Sequence, residues 1–199
     1  MSRMVDYFYT HSSPWTYLGS ARFHDIAKAA QTSINYRPCN LGRIFSQSGG
    51  LPLPKRAQQR QRYRMFELKR WRDHLGVEIT LEPAFFPADG STADRMVIAA
   101  DKQGLDAGCL SNAILRAIWV EEKNIADSDT LVGIASAQGM DGSVLLAAAQ
   151  SDGIGTIYDA YTQEGMDRNI FGAPTYIYKD EPFWGQDRLD FVERALKAR

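Results

Sequence analysis

Three short segments carry residue types that can do chemistry: Ser13-Pro14-Trp15-Thr16, Gly172-Ala173-Pro174-Thr175 and Trp184-Gly185-Gln186-Asp187. The first places a hydroxyl directly before a proline. That is the pattern of a helix start, where unpaired backbone N–H groups and the helix dipole favour an anion. Each segment also has a purely structural use. Ser13 can cap a helix, Pro174 can sit in a turn or at a strand edge, and Asp187 can serve as an N-cap. Singly none is specific; their order along the chain is more informative.

The surrounding pattern supplies elements that would bring the three together. Val5 to Thr10 is β-branched and aromatic and reads as a strand; it ends at His11-Ser12-Ser13-Pro14, and an apolar stripe through Trp15, Leu18, Phe23 and Ile26 predicts a helix to about Ala30. Ser33 to Cys39 alternates as a second strand. Ser46 to Pro54 is Gly/Pro/Ser punctuation. Helical periodicity then predicts helices along Met65–Leu75, Met96–Gln103 (after a capping-box-like Ser91-Thr92-Ala93-Asp94), Cys109–Glu122, Asp129–Gln138, Asp141–Ala149 and Asp152–Asp167. Thr175–Lys179 and Phe183–Gly185 around Asp180-Glu181-Pro182 read as a hairpin, and Gln186-Asp187 opens a last helix through Leu189, Val192 and Leu196. The order β-α-β, a helical block, then β-β-α predicts a split α/β sheet with an all-helical insertion. Residues 1–44 and 170–199 form one discontinuous domain in this reading, and 45–169 the insertion.

Composition narrows the classes. The chain has 199 residues, 44% hydrophobic and 24% charged, enough for a core without metals or disulfides. Its 23 Lys+Arg against 24 Asp+Glu exclude a globally basic nucleic-acid binder. Cys39 and Cys109 stand alone, apart from His11, His24 and His74, so neither a disulfide framework nor a zinc site is expected. Neither a signal-peptide apolar region nor a run of about 18 apolar residues occurs. The expectation is a cytoplasmic protein that engages neither membrane, metal nor nucleic acid.

Taken together, Val5-Asp6-Tyr7-Phe8-Tyr9, Ser13 to Leu18, Glu67 to Trp71, Phe171 to Thr175 and Trp184 to Arg188 resemble the family of 2-hydroxychromene-2-carboxylate isomerases and kappa-class glutathione transferases. The resemblance spans essentially the whole chain. It implies a thioredoxin-like, DsbA-like fold with a four-stranded mixed sheet, in which Ser13-Pro14-Trp15-Thr16 stands where an oxidoreductase carries Cys-x-x-Cys and Pro174 where the fold carries its cis-proline. It also implies a homodimer and glutathione as cofactor. Ser13 is then catalytic, steadying the glutathione thiolate. The Ala173 main chain, beside Pro174, pairs with the cysteinyl unit, and Trp184, Gly185, Gln186 and Asp187 hold the γ-glutamyl end. The family more often has valine at Ala173.

The residues agree with such a role. Without two thiols, Ser13 and Thr16 cannot exchange a disulfide, so sulfur must come from a ligand. Lowering a thiol pKa from about 8.5 to about 6.5 raises its thiolate fraction near pH 7.4 from under about a tenth to roughly nine-tenths, a gain of only about 1.5 kcal/mol. Positioning must therefore supply the rest.

A second substrate, a small aromatic carboxylate, is implied too. Residues 55 to 72 hold eight basic side chains against the single acid Glu67, and a solvated helix face accounts for most of them. Lys55 and Arg56, directly after the Gly/Pro loop, are the candidates for its carboxylate, with Phe45 and Phe85 as aromatic contacts; Phe86 could join them, and core packing is expected for at least one of Phe85 and Phe86. Naphthalene-pathway members of the family carry lysine near Phe45 and asparagine near Lys55. The leading expectation is glutathione-dependent cis–trans isomerisation of 2-hydroxychromene-2-carboxylate or a close relative. The alternatives are a conjugating transferase and a non-catalytic thioredoxin-like binding module.

Overall fold

The computed structural model describes residues 3–198. Its sheet has the order β2-β1-β3-β4, with β1 (Met4–Tyr9) parallel to β2 (Ser33–Pro38) and antiparallel to β3 (Thr175–Tyr178), which pairs antiparallel with β4 (Glu181–Trp184). The fold class expected from the sequence is the one observed. α1 (Pro14–Ala29) crosses from β1 to β2, and α9 (Leu189–Lys197) follows β4. Between β2 and β3 the described chain is helical: α2 (Leu41–Ser48), α3 (Gln58–Leu75), α4 (Ser91–Lys102), α5 (Ala107–Trp119), α6 (Ser128–Ala137), α7 (Gly142–Ala149) and α8 (Asp152–Asp167).

The period of two in β1 sorts its side chains into two cores. Val5, Tyr7 and Tyr9 face α1 and α9, packing with Phe23, Ile26, Tyr176, Leu189 and Val192. Phe8 faces the other way, onto Cys39, Ile44, Ile170 and Ile177. Burial on both faces is why β1 reads as a nearly continuous apolar run. A third and larger core joins α4 to α7 around Met96, Leu110, Ile114, Trp119 and Leu131.

Several local expectations change. α2 occupies residues expected to lie between strand and loop; Asn40 caps it by accepting from Arg43 N at 3.1 Å, and Gly49 ends it at φ 75°. α3 starts at Gln58, ahead of the apolar stripe that opens at Met65, because its first two turns are polar and carry no such signal. Ser91 is not a cap. Gly90 holds that position without a side-chain bond, and Asp94 turns inward to a buried task. Nor does Asp187 cap the last helix: it lies in a 3-10 turn, Gln186–Arg188, that precedes α9. The hairpin turns at Lys179 and Asp180, both at positive φ (50° and 64°), the geometry of a two-residue turn matched to strand twist.

Candidate functional site

Ser13 caps α1. Its Oγ accepts from Thr16 N at 3.3 Å, and Pro14 takes the first helical position. Because the hydroxyl oxygen accepts this bond, its proton is left to donate elsewhere. Ser13 is 7% exposed, so the donor opens onto a narrow aperture rather than bulk water. Thr16 Oγ1 is buried without a partner. Neither thiol of the chain lies at the start of α1, although Cys39 is in the wall of the cleft beside Ser12. Cys39 is buried with Sγ directed at Tyr9 O, burial pushing its pKa far up, and Cys109 sits exposed on α5.

β3 brings the second segment alongside. Phe8 pairs with Thr175, the last pair of that antiparallel ladder, so Ala173 and Pro174 lie just beyond the end of β1 that leads into Ser13. The Ala173–Pro174 bond is cis. Gly185 N donates to Pro174 O at 2.9 Å, tying the third segment to the second. Among the described residues, no backbone hydrogen bond is made by Ala173 N–H or C=O, which leaves a short main-chain edge ready to pair with an extended ligand.

The third segment divides. Trp184 is exposed and meets Phe171 edge-on at 4.7 Å between ring centroids. Gly172 leaves room for that indole, since a Cβ there would stand 2.3 Å from Trp184 Nε1. Gly185 sits at φ 99°, a conformation that excludes most side chains. Gln186 is turned inward against Gly19 and buried, its Oε1 lacking a partner. Asp187 is exposed, its carboxylate 2.8 Å from Arg188 Nη1. The residues present fit a small anionic peptide: a hydroxyl donor at a helix start, an unpaired main-chain edge, and a polar end with both charges.

Beneath Ser13 lies a buried polar cluster that sequence reasoning missed. Asp94, reaching from α4, accepts from Thr10 Oγ1 (3.0 Å) and His11 N (3.1 Å), and lies 2.6 Å from His11 Nδ1. His11 Nε2 is 3.0 Å from Ser111 Oγ, Tyr158 OH is 3.4 Å from Asp94, and Trp119 Nε1 donates to His11 O. His11, Asp94 and Ser111 are at most 1% exposed, and they clamp the loop that carries Ser13 to the helical layer. Only Asp94 inside an apolar helical run hinted at this.

Beside Ser12 a cleft of about 150 Å³ opens between this loop, the start of α2 and the start of α4, lined by Thr10, Asn40, Gly90 and Ser91 among others. A larger hollow of about 470 Å³ lies between α5 and α6, around Cys109 and Arg116, and touches none of the three segments. The smaller cleft contains no residue of the three segments either, but Ser12 in its wall directly precedes Ser13, which makes it the nearer of the two to the start of α1.

The substrate-side candidates are spread. Arg56 is half-buried, 5.9 Å above the Phe45 ring, with Nε donating to Leu51 O at 2.7 Å. Lys55 and Phe85 are exposed, whereas Phe86 packs on Trp119 at 5.1 Å. Arg64, expected on a solvated face, is half-buried with its guanidinium 5.3 Å above the Phe86 ring. The signal was there. Arg64, Leu68, Trp71 and Leu75 fall at helical spacing, so Arg64 lies on the inward stripe of α3. Among the described residues no helix is long and apolar enough to cross a membrane.

Comparison with known proteins agrees with this fold. The model of the DSBA-like thioredoxin domain family matches residues 4–197. A 2-hydroxychromene-2-carboxylate isomerase of Sphingobium xenophagum is 30% identical over 199 residues, covering 98% of this chain and 99% of that one. One from Pseudomonas putida is 29% identical over 198 residues, 97% of this chain and 94% of that one. The solved structure of a 2-hydroxychromene-2-carboxylate isomerase superposes with a TM-score of 0.84 at 25% identity, over 97% of this chain and 94% of the other. With its sheet and its full-length similarity in agreement, the chain belongs to the DSBA-like thioredoxin domain family, among relatives named 2-hydroxychromene-2-carboxylate isomerase.

Proposed function

We propose that the protein is a glutathione-dependent isomerase acting on 2-hydroxychromene-2-carboxylate or a closely related aromatic acid. The observation that carries this reading is a serine, with no thiol beside it, capping α1 next to an unpaired main-chain edge, in a chain whose full-length relatives bear that isomerase's name. When bound, glutathione supplies a sulfur nucleophile whose reversible addition lets a conjugated double bond rotate. The chain does the rest. Ser13 donates its hydroxyl proton to the anionic sulfur, and the first turn of α1 adds its dipole. Ala173 offers N–H and C=O to the ligand's backbone, while Asp187 takes the ammonium of the γ-glutamyl end. The cleft beside Ser12 limits the room around the reacting bond and excludes bulk water.

A hydrogen bond to a charged sulfur is worth about 1.5–3 kcal/mol, so Ser13→Ala should slow turnover by about 10- to 100-fold. The assay is isomerisation of the chromene acid followed by absorbance, with and without glutathione. Equal rates in its absence, or an undiminished Ser13→Ala rate, refute the proposal. Product mass separates isomerase from conjugating transferase, because only isomerisation leaves it unchanged.

A further inference from the structure

Arg56 and Arg64 form a pair of neighbouring cations with no carboxylate among the described residues to balance them. Both are half-withdrawn from water, yet neither makes an ion pair within 4.0 Å, nor does the exposed Arg60 one turn before Arg64. Nearby Glu67 is committed to Arg70 at 2.5 Å. Partly burying two neighbouring cations without a carboxylate is unfavourable unless something else meets them. Two aromatic rings do so in part, Phe45 below Arg56 and Phe86 below Arg64. Each ring lies against one face of a guanidinium; Arg56 spends its Nε on Leu51 O, whereas the N–H edges of Arg64 stay free for a bidentate anion. Apart from a 3.7 Å approach of Nη1 to Met65 Sδ, the Arg64 guanidinium makes no hydrogen bond. Desolvation, with Arg56 nearby, lowers the Arg64 pKa to about 10, so it stays charged at neutral pH.

Packing connects this pair to the loop that carries Ser13. Phe86 rests on Trp119, whose indole donates to His11 O, two residues before Ser13. The strand of chain that continues from Phe86 reaches Gly90, where a Cβ would lie 3.5 Å from Ser12 N. We propose that Arg64, braced on Phe86 and assisted by Arg56, is the anchor for the carboxylate of an aromatic ligand at this site, with exposed Lys55 outside it. This deepens the proposed function by naming the residue that takes the substrate's charged end, and rests on that reading for the ligand's class.

The test measures binding by calorimetry of 2-naphthoate and of its uncharged counterpart 2-naphthamide, without glutathione and without turnover. Wild-type protein should bind the carboxylate at least tenfold more tightly than the amide. Arg64→Gln and Arg64→Met, the second retaining an apolar stem over Phe86, should each cut that preference at least fivefold while still melting cooperatively. Lys69→Gln, which removes an exposed charge from the same helix, should leave it unchanged. No preference in the wild type, a preference surviving both Arg64 variants, or an equal loss in Lys69→Gln overturns the assignment. A protein that keeps the naphthoate preference through Arg64 but fails to isomerise the chromene acid sinks the proposed function and leaves this anchor standing.

Discussion

Asp94 offers the sharpest test of how the site is held. Its two oxygens meet Thr10 Oγ1, His11 N and His11 Nδ1 within 3.1 Å, with Tyr158 OH further out at 3.4 Å, and the side chain is 1% exposed. Asp94→Ala leaves these groups buried and unmatched. Removing one partner of a buried charged network costs about 3–5 kcal/mol. At about 2–4 °C per kcal/mol for a chain of this size, the melting temperature should fall by about 6–20 °C. Asp94→Asn is gentler. Its carbonyl can still accept from His11, and the Thr10 and Tyr158 hydroxyls can rotate to accept from the new amide, so about 1–2 kcal/mol should be lost. Thermal melts by circular dichroism, backed by urea unfolding, measure both. An Asp94→Ala protein melting within about 2 °C of wild type would show that the cluster does not hold the Ser13 loop, and equal losses in the two variants would refute the hydrogen-bond accounting.

Other predictions concern burial and the glutathione end. Burial raises the pKa of Cys39 and of Tyr7, Tyr9, Tyr36, Tyr158 and Tyr176. Their stabilising contribution is therefore complete below the unfolded values, about 8.5 for a thiol and about 10 for a phenol, and is lost as pH rises above them. Urea midpoints should thus decline steadily from about pH 9 to 11; a flat profile would contradict the burial. A thiol reagent at pH 8 should titrate one cysteine in the native protein, the exposed Cys109, and two after unfolding; two reactive thiols in the native state would place Cys39 wrongly. Gly172→Ala puts a methyl where Trp184 Nε1 now lies 2.3 Å away, so the exposed indole must swing aside. Glutathione affinity should fall several-fold with little change in melting temperature, and an unchanged affinity would remove Trp184 from the binding surface.

Much of the architecture is legible along the chain because short-range physics writes it there. Ser13-Pro14 marks a helix start, since capping depends on neighbours within a turn, and the alternation through Val5 to Tyr9 marks a central strand. The helical block declares itself by its period. Where polar residues fill the first turns of α3, or a short amphipathic segment forms α2, local pattern fails and the boundary moves. The Ser91-to-Asp94 spacing misleads for a different reason: a carboxylate that looks like a cap is recruited by Thr10 and His11, more than 80 residues away in sequence.

The amino-acid order alone determined a hydroxyl at a helix start in Ser13-Pro14, the lack of a Cys-x-x-Cys pair, and the β-α-β, helical block, β-β-α order that builds one mixed sheet. Tertiary packing decided which charges withdraw from water. Arg64 and Lys55 look equivalent as letters in a basic run, but one lies over Phe86 on the inward side of α3 and the other stands in solvent. Charge type is a property of one residue, whereas desolvation and the absence of a counter-ion depend on everything the fold brings near it.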